Sequence, residues 1–154
     1  MLAGISLVIS LISCGLAVLP PGTDLVRLQS EPEAATASQV EAVAHVTLPP
    51  GTVFLAAAYS NGLDTMLAAK FRIPRAGVDA FMTSGDFTAP LTPGLRAITE
   101  AHNVGGGNLW DPESHVSVSG LEENEPTSDG TYRSLLLGLD SADTVTVYLH
   151  ASRG

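Results

Sequence analysis

Alternation of apolar and polar positions, interrupted by Val43, marks the start of the folded part of the chain. From Gln39 to Leu48 every second residue is apolar, which places Val40, Ala42, Ala44, Val46 and Leu48 on one side. A period of two predicts a strand with one buried face. Two prolines and a glycine follow at 49–51 and end this strand.

Two further apolar runs, Val53–Tyr59 and Thr65–Ile73, are separated by the segment SNGLD. Its Asn-Gly pair is the dipeptide that a two-residue type I′ turn prefers, because both turn positions need a positive φ. We therefore predict a hairpin in which Ala58 faces Thr65, a register that collects apolar side chains on one face. The high alanine content leaves a pair of helices as the alternative.

The segment IPRAGVDAFMTSG predicts a short helix over Arg75–Ser84. Pro74 suits its first turn and Gly85 its end. The apolar residues within it follow helical spacing, at i, i+3 and i+4. Phe81 is accordingly predicted to be a core residue that packs on the sheet.

The final segment, TYRSLLLGLDSADTVTVYLHAS, has the pattern of a second hairpin. Opposed residues of a hairpin point to the same face, so its two apolar sets must face one another. This condition pairs Leu137 with Val147 and requires a loop of odd length, either three or five residues. We expect these two strands near the centre of the sheet.

Together these elements predict an α+β fold for residues 39–154, with an antiparallel sheet of five or six strands and one main helix packed on one face. The segment 86–108 is predicted to be mostly loop, with a helical turn at 95–101. A short strand is expected at His115–Ser119. The acidic stretch EENEPTSDG, residues 122–130, is expected to be a solvated loop.

The first 19 residues carry no charged side chain and predict an apolar anchor before the domain. Leu11-Ile12-Ser13-Cys14 resembles the bacterial lipobox, which implies cleavage before Cys14 and a lipid on its sulfur. An uncleaved membrane helix over Leu2–Leu19 is the competing interpretation, and a structural cysteine in a soluble protein is the third. Residues 20–38 are predicted to be a flexible linker, with an edge strand at Leu25–Leu28 as the alternative.

The charge and composition of the chain exclude some classes of binding partner. The formal charge is −9, from 16 acidic and 7 basic residues, and the chain has one lysine. Nucleic-acid binding needs clustered cations, so we expect no nucleic-acid partner. Anionic lipid headgroups would be repelled for the same reason. A single cysteine permits no disulfide within the chain, so its stability must come from packing.

Several residues with side chains suited to binding lie close together in the segment HNVGGGNLWDPESH. We consider it a binding loop with five candidate residues: His102, Trp110, Asp111, Glu113 and His115. Zinc or calcium needs convergent nitrogen and oxygen ligands, which this loop would supply if its glycines folded it back. The other interpretations are an ordinary loop with Trp110 covering the core, and an exposed Trp110 that anchors a partner.

Elsewhere the sequence contains no phosphate-binding loop, no dinucleotide fingerprint, no nucleophile elbow and no zinc-protease motif. His45 and His150 fall on the polar faces of predicted strands, and we expect both to be solvated. We therefore assign no catalytic residue, no metal and no cofactor.

The segments RIPRAGVDAFMTSG and TYRSLLLGLDSADTVTVYL resemble a group of uncharacterised actinobacterial envelope proteins. Those proteins have an N-terminal signal or membrane segment, a strand–turn–strand–helix middle, a tryptophan-bearing loop and a closing hairpin. The resemblance extends from Val40 onward, over about two thirds of the chain. It implies anchoring on the extracytoplasmic side and carries over no catalytic residue.

The sequence therefore predicts a membrane-anchored extracytoplasmic domain without catalytic activity, which binds an envelope protein partner or supports the envelope. Its membrane partner is the lipid bilayer, contacted through the N-terminus. The alternative is a metal-binding protein or metal-dependent enzyme that uses the 102–115 loop.

Overall fold

The computed structural model describes residues 32–105, 107 and 109–154. These residues form one antiparallel sheet of seven strands in the order β1-β2-β3-β7-β6-β5-β4. The elements are β1 (Glu33–Ala34), α1 (Ala37–Ala44), β2 (Val53–Asn61), β3 (Thr65–Pro74), α2 (Val78–Gly85), β4 (Thr92–Pro93), β5 (Val118–Glu122), β6 (Tyr132–Gly138) and β7 (Thr144–Arg153). The predicted α+β class is confirmed, and the sheet has more strands than the predicted five or six.

The sheet has two covered faces, which we call the helix face and the loop face. On the helix face, Val40 of α1 and Phe81 of α2 join buried residues of β3, β6 and β7 in the larger core. On the loop face, Ile98 and Trp110 pack on buried strand residues, Val118 of β5 among them, in a smaller core. The segment between β4 and β5 therefore takes the place that a second layer of helices would occupy.

The predicted strand at 39–48 is wrong, because most of this segment belongs to helix α1. Thr36 begins the helix with a capping box, in which its side chain accepts from the Gln39 N–H and Gln39 bonds back to the Thr36 N–H. The helix ends at His45, which has a left-handed φ of 54°. Val40 and Ala44, four residues apart, are buried together. The described residues thus contain two α-helices of eight residues each, in place of one main helix.

The first hairpin is confirmed, but its register differs from the predicted one. Asn61 pairs with Thr65 across a three-residue turn, and Ala58 faces Ala68 instead of Thr65. A bulge between Phe54 and Ala56 shifts the pairing by one more residue at the start of β2. This bulge lets Phe54 join the helix face, where its ring stacks on that of Phe71 at 6.3 Å.

The closing hairpin and the second helix agree with the sequence pattern. Leu137 pairs with Val147, and five residues, 139–143, connect β6 to β7. Strand β7 lies in the centre of the sheet between β3 and β6. Helix α2 follows a single 3₁₀ turn at Arg75–Gly77, and Phe81 is fully buried, as predicted.

The acidic segment 122–130 is not entirely a solvated loop, because its residue Glu123 is buried. Both Glu123 carboxylate oxygens accept from Arg133, Oε2 from Nε at 2.6 Å and Oε1 from Nη2 at 2.8 Å. The Arg133 Nη1 also donates to the carbonyls of Ala44 and Gly85, at the ends of the two helices. Burying an isolated carboxylate costs free energy. The bonds that Arg133 makes to Glu123 and to the two carbonyls offset this cost.

The predicted anchor, residues 1–19, and the predicted lipidation site Cys14 lie outside the described residues. Part of the predicted linker, 32–38, is described and contributes β1 and the first residues of α1. The boundary expected at Gln39 therefore falls inside a helix. Within the described ranges, each helix is too short or too polar to cross a bilayer.

Candidate functional site

The predicted binding loop lies across the loop face, and Trp110 is its central contact with the sheet. The Trp110 side chain is only 6% exposed, and its ring meets that of Tyr148 edge-on at 5.3 Å. Its indole N–H donates to the Thr99 carbonyl at 3.0 Å. Trp110 therefore covers the smaller core, and most of its surface is already occupied by the chain.

Asp111 is held by two side chains from the sheet. One carboxylate oxygen, Oδ1, accepts from Lys70 Nζ at 2.5 Å and from the Tyr148 hydroxyl at 2.6 Å. Burial raises the pKa of Asp111, but the bonds from Lys70 and then Tyr148 outweigh it and hold that pKa below its ordinary value. Lys70, the chain's one lysine, also donates to the Leu109 carbonyl at 2.7 Å.

His115 continues this chain of contacts toward the surface. Its Nε2 lies 3.1 Å from the Tyr148 hydroxyl, and its Nδ1 lies 2.7 Å from Asp140 Oδ2. The N–H of Ser117 and then His115 lower the pKa of Asp140. The imidazole fits because residue 138 is glycine, since a Cβ there would lie 2.4 Å from His115 Nδ1. We call Lys70, Asp111, Tyr148, His115 and Asp140 the loop-face network.

The other two predicted loop residues have different partners. Glu113 accepts from the Glu100 N–H at 3.0 Å, and this bond lowers its pKa. The Nδ1 of His102 accepts from the Thr99 N–H at 3.0 Å, and its ring packs against that of His150 at 5.1 Å. The structure thus brings Asp111 and His115 into one network, while Glu113 and His102 stabilise the 3₁₀ turn at Glu100–His102.

His150 is not the solvated residue that the sequence predicted. Burial first, and then the neighbouring His102, lower its pKa to about 4. Among the described residues, its Nε2 is the one buried side-chain nitrogen or oxygen without a hydrogen-bond partner. His45, by contrast, is half-exposed and lies 3.0 Å from Asp129 Oδ2.

The contacts of Tyr148 hold the loop in place on the sheet. The Tyr148 side chain is fully buried, and burial together with Asp111 raises its pKa far above the ordinary value. Its hydroxyl therefore bridges two loop residues as a neutral donor and acceptor. In the part of the chain that the structure describes, no three His, Cys, Asp or Glu side chains lie close enough together to hold a metal ion.

Beside this network lies an open groove that the sequence analysis missed, which we call the alanine groove. Its volume is about 290 Å³. Alanines of β1, β2 and β3 line it on the sheet side, and the loop residues Leu109 and Trp110 line it on the other. Three of these alanines, Ala34, Ala58 and Ala68, pair directly across neighbouring strands. The runs of consecutive alanines in β2 and β3 were visible in the sequence, but the alignment of Ala58 with Ala68 depends on the three-residue turn.

The loop approaches the sheet closely at one end of the alanine groove. A Cβ at Gly105 would lie 2.7 Å from the Ala58 side chain, so the glycine permits this contact. The alanines leave room further along, where a larger side chain would fill the space. The loop-face network, through Lys70 and Asp111, fixes the segment 109–111 that borders the groove.

Comparisons of the chain with protein-family models, with curated proteins and with solved structures find no match.

Proposed function

We propose that this protein is a membrane-anchored extracytoplasmic domain without catalytic activity, which binds a partner of the cell envelope through the alanine groove. Three observations support the proposal. The apolar N-terminal sequence supports an anchor, the resemblance to actinobacterial envelope proteins supports the location, and the groove supports binding.

The alanine groove is the observation that carries the binding role. Its volume of about 290 Å³ lies at the lower end of the range for small-molecule sites, roughly 300–1,000 Å³. It is open to solvent, and its lining is mostly apolar. The polar groups of the adjacent network bond to each other and do not line the groove, so they order its border and leave its surface mostly apolar.

Site-specific photocrosslinking in cells that make the full-length protein tests the binding role. A benzoylphenylalanine at position 109 should give a crosslinked adduct, because the Leu109 side chain borders the groove. The same crosslinker at position 116 is the matched control, since Val116 is 90% exposed and does not line the groove. Adducts at neither position, or equal adducts at both, would contradict the proposal.

Membrane fractionation and intact-mass measurement test the anchor in the same cells. We expect the protein in the membrane fraction, released by detergent and retained in high salt. A mass that has lost the first thirteen residues and gained acyl chains would assign the anchor to Cys14. Recovery of the full-length unmodified chain in the soluble fraction would contradict the anchor.

A further inference from the structure

The alanine groove continues into a second hollow that extends along the same side of the sheet. This hollow has a volume of about 330 Å³ and shares Pro32 and Asn103 with the groove. It reaches the β2–β3 turn, where Leu63 and Asp64 line it. The combined surface is therefore elongated, from Trp110 to the tip of the first hairpin.

Large apolar side chains border this surface and remain exposed. Leu63 is 72% exposed, Leu109 is 54% exposed and Met66 is 39% exposed. A small molecule seated among the alanines would contact Leu109 but leave Leu63 in water, because Leu63 lines only the hollow at the other end of the surface. An extended occupant would cover both, and clustered exposed apolar groups are typical of sites that bind other macromolecules.

The charges of this surface have one sign. Of the described residues that line the groove and the hollow, the charged ones are Glu33 and Asp64, both acidic and both exposed. The whole chain carries a formal charge of −9, which adds to the negative potential at this surface. A partner with cationic groups beside its apolar groups would complement it, and an acidic partner would be repelled.

We propose that the alanine groove and the adjoining hollow bind an extended segment of a partner polypeptide in which apolar side chains are flanked by lysine or arginine. The apolar side chains occupy the space over the alanines, and the cationic groups lie near Glu33 and Asp64. This inference rests on the proposed binding function and names the chemistry of the partner.

The test uses the full-length protein held in amphipol and reads the fluorescence of Trp110, the chain's one tryptophan. The probe is the peptide acetyl-Lys-Leu-Val-Leu-Lys-amide. Two matched peptides serve as controls, one with both lysines replaced by glutamate and one with the three apolar residues replaced by serine. We expect the probe to shift the Trp110 emission with an affinity at least about tenfold above either control.

Two sets of variants locate the site. Leu109→Ser should weaken probe binding by about tenfold, whereas Val116→Ser, an exposed position outside the groove, should leave it unchanged. The double variant Glu33→Gln/Asp64→Asn should weaken binding and reduce its dependence on salt, because two attractive charges are lost. Glu125→Gln, which removes an exposed charge that does not line this surface, is the matched control.

Several results would overturn the inference. They are equal binding of the lysine and glutamate peptides, equal binding of the serine peptide, or no probe binding at all. A groove that takes lipid would instead show a Leu109-dependent emission shift with phosphatidylcholine vesicles and none with the probe. A groove that pairs two copies of this chain would show a Leu109-dependent shift with protein concentration alone.

The two proposals fail separately. A specific crosslink from position 109 in cells, combined with no preference for the lysine peptide, would retain the binding function and reject the cationic partner. The absence of any crosslink specific to position 109 would reject the binding function itself.

Discussion

The two faces of the sheet differ in how far their bonded polar side chains are exposed to solvent. On the helix face, Arg133 and Glu123 form an enclosed pair whose side chains are 3% and 1% exposed. On the loop face, the network includes two carboxylates that reach solvent, Asp111, 48% exposed, and Asp140, 41% exposed. The enclosed pair joins the ends of both helices to the sheet, whereas the open network positions a loop that borders the alanine groove. The comparison suggests that one face specifies the fold and the other positions a surface.

The largest effect is expected from breaking the enclosed pair on the helix face. Arg133→Met leaves the Glu123 carboxylate buried without its partner, and it removes the donor to the carbonyls of Ala44 and Gly85. The free energy of unfolding should fall by about 3–5 kcal/mol, as measured by urea denaturation. The double variant Arg133→Met/Glu123→Gln should recover part of this loss, because no unpaired charge remains. A loss below about 1 kcal/mol for the single variant would remove the distinction between the faces.

A smaller effect concerns pH and the partly buried His150 on the loop face. Its pKa is about 4 in the folded protein, below the ordinary value of roughly 6.5, so the unfolded chain binds a proton first as the pH falls. The stability that neutral His150 contributes is therefore full above the ordinary pKa and is lost as the pH falls through about 4. Between pH 7 and pH 5 this loss should be about 2 kcal/mol.

Urea denaturation at the two pH values checks this prediction. His150→Leu should remove most of the pH-dependent difference, because the residue no longer titrates. His45→Asn is the matched control, since it removes the half-exposed histidine and tolerates the left-handed backbone at that position. An unchanged pH dependence in His150→Leu would show that His150 is not responsible.

The hairpins were predictable from the sequence because local features determine them. The alternation of leucine and valine determines which residues of β6 and β7 face each other, so the Leu137–Val147 pair followed directly. The first hairpin showed the limit of this argument, since its Asn-Gly pair does not form a two-residue turn. Helix α1 was missed because its alternating pattern also fits helical spacing, and the cap that selects the helix, Thr36, was assigned to the linker.

Of the residues in the candidate site, only those in the loop were predictable from the sequence. Trp110, Asp111 and His115 lie in one short segment with unusual composition, which drew attention to them. Their partners Lys70, Tyr148 and Asp140 lie on or beside strands far along the chain, and only the strand order brings them together. The aligned alanines were missed for the same reason. The Arg133–Glu123 pair, ten residues apart, was missed because the acidic composition of 122–130 indicated a solvated loop.

Removing the central hydroxyl of the loop-face network should have an intermediate effect. Tyr148→Phe keeps the ring against Trp110 but withdraws the donor to Asp111 and the partner of His115 Nε2. The free energy of unfolding should fall by about 1–2 kcal/mol, and the Trp110 emission should change as the loop loosens. Tyr132→Phe is the control, because Tyr132 is half-exposed and lies outside the network. An effect as large as that of Arg133→Met would mean that the open network specifies the fold as strongly as the enclosed pair.

The smallest effect on stability is expected at the border of the alanine groove. Leu109→Ser alters a side chain that is more than half exposed, while the carbonyl that accepts from Lys70 is kept. Its free energy of unfolding should stay within about 0.5 kcal/mol of the original value by urea denaturation, although we expect peptide binding to weaken about tenfold. Such a separation of stability from binding is what a surface positioned by the loop-face network requires. A stability loss above about 1 kcal/mol would instead make Leu109 part of the packed loop, and the difference between the two faces would then be one of degree.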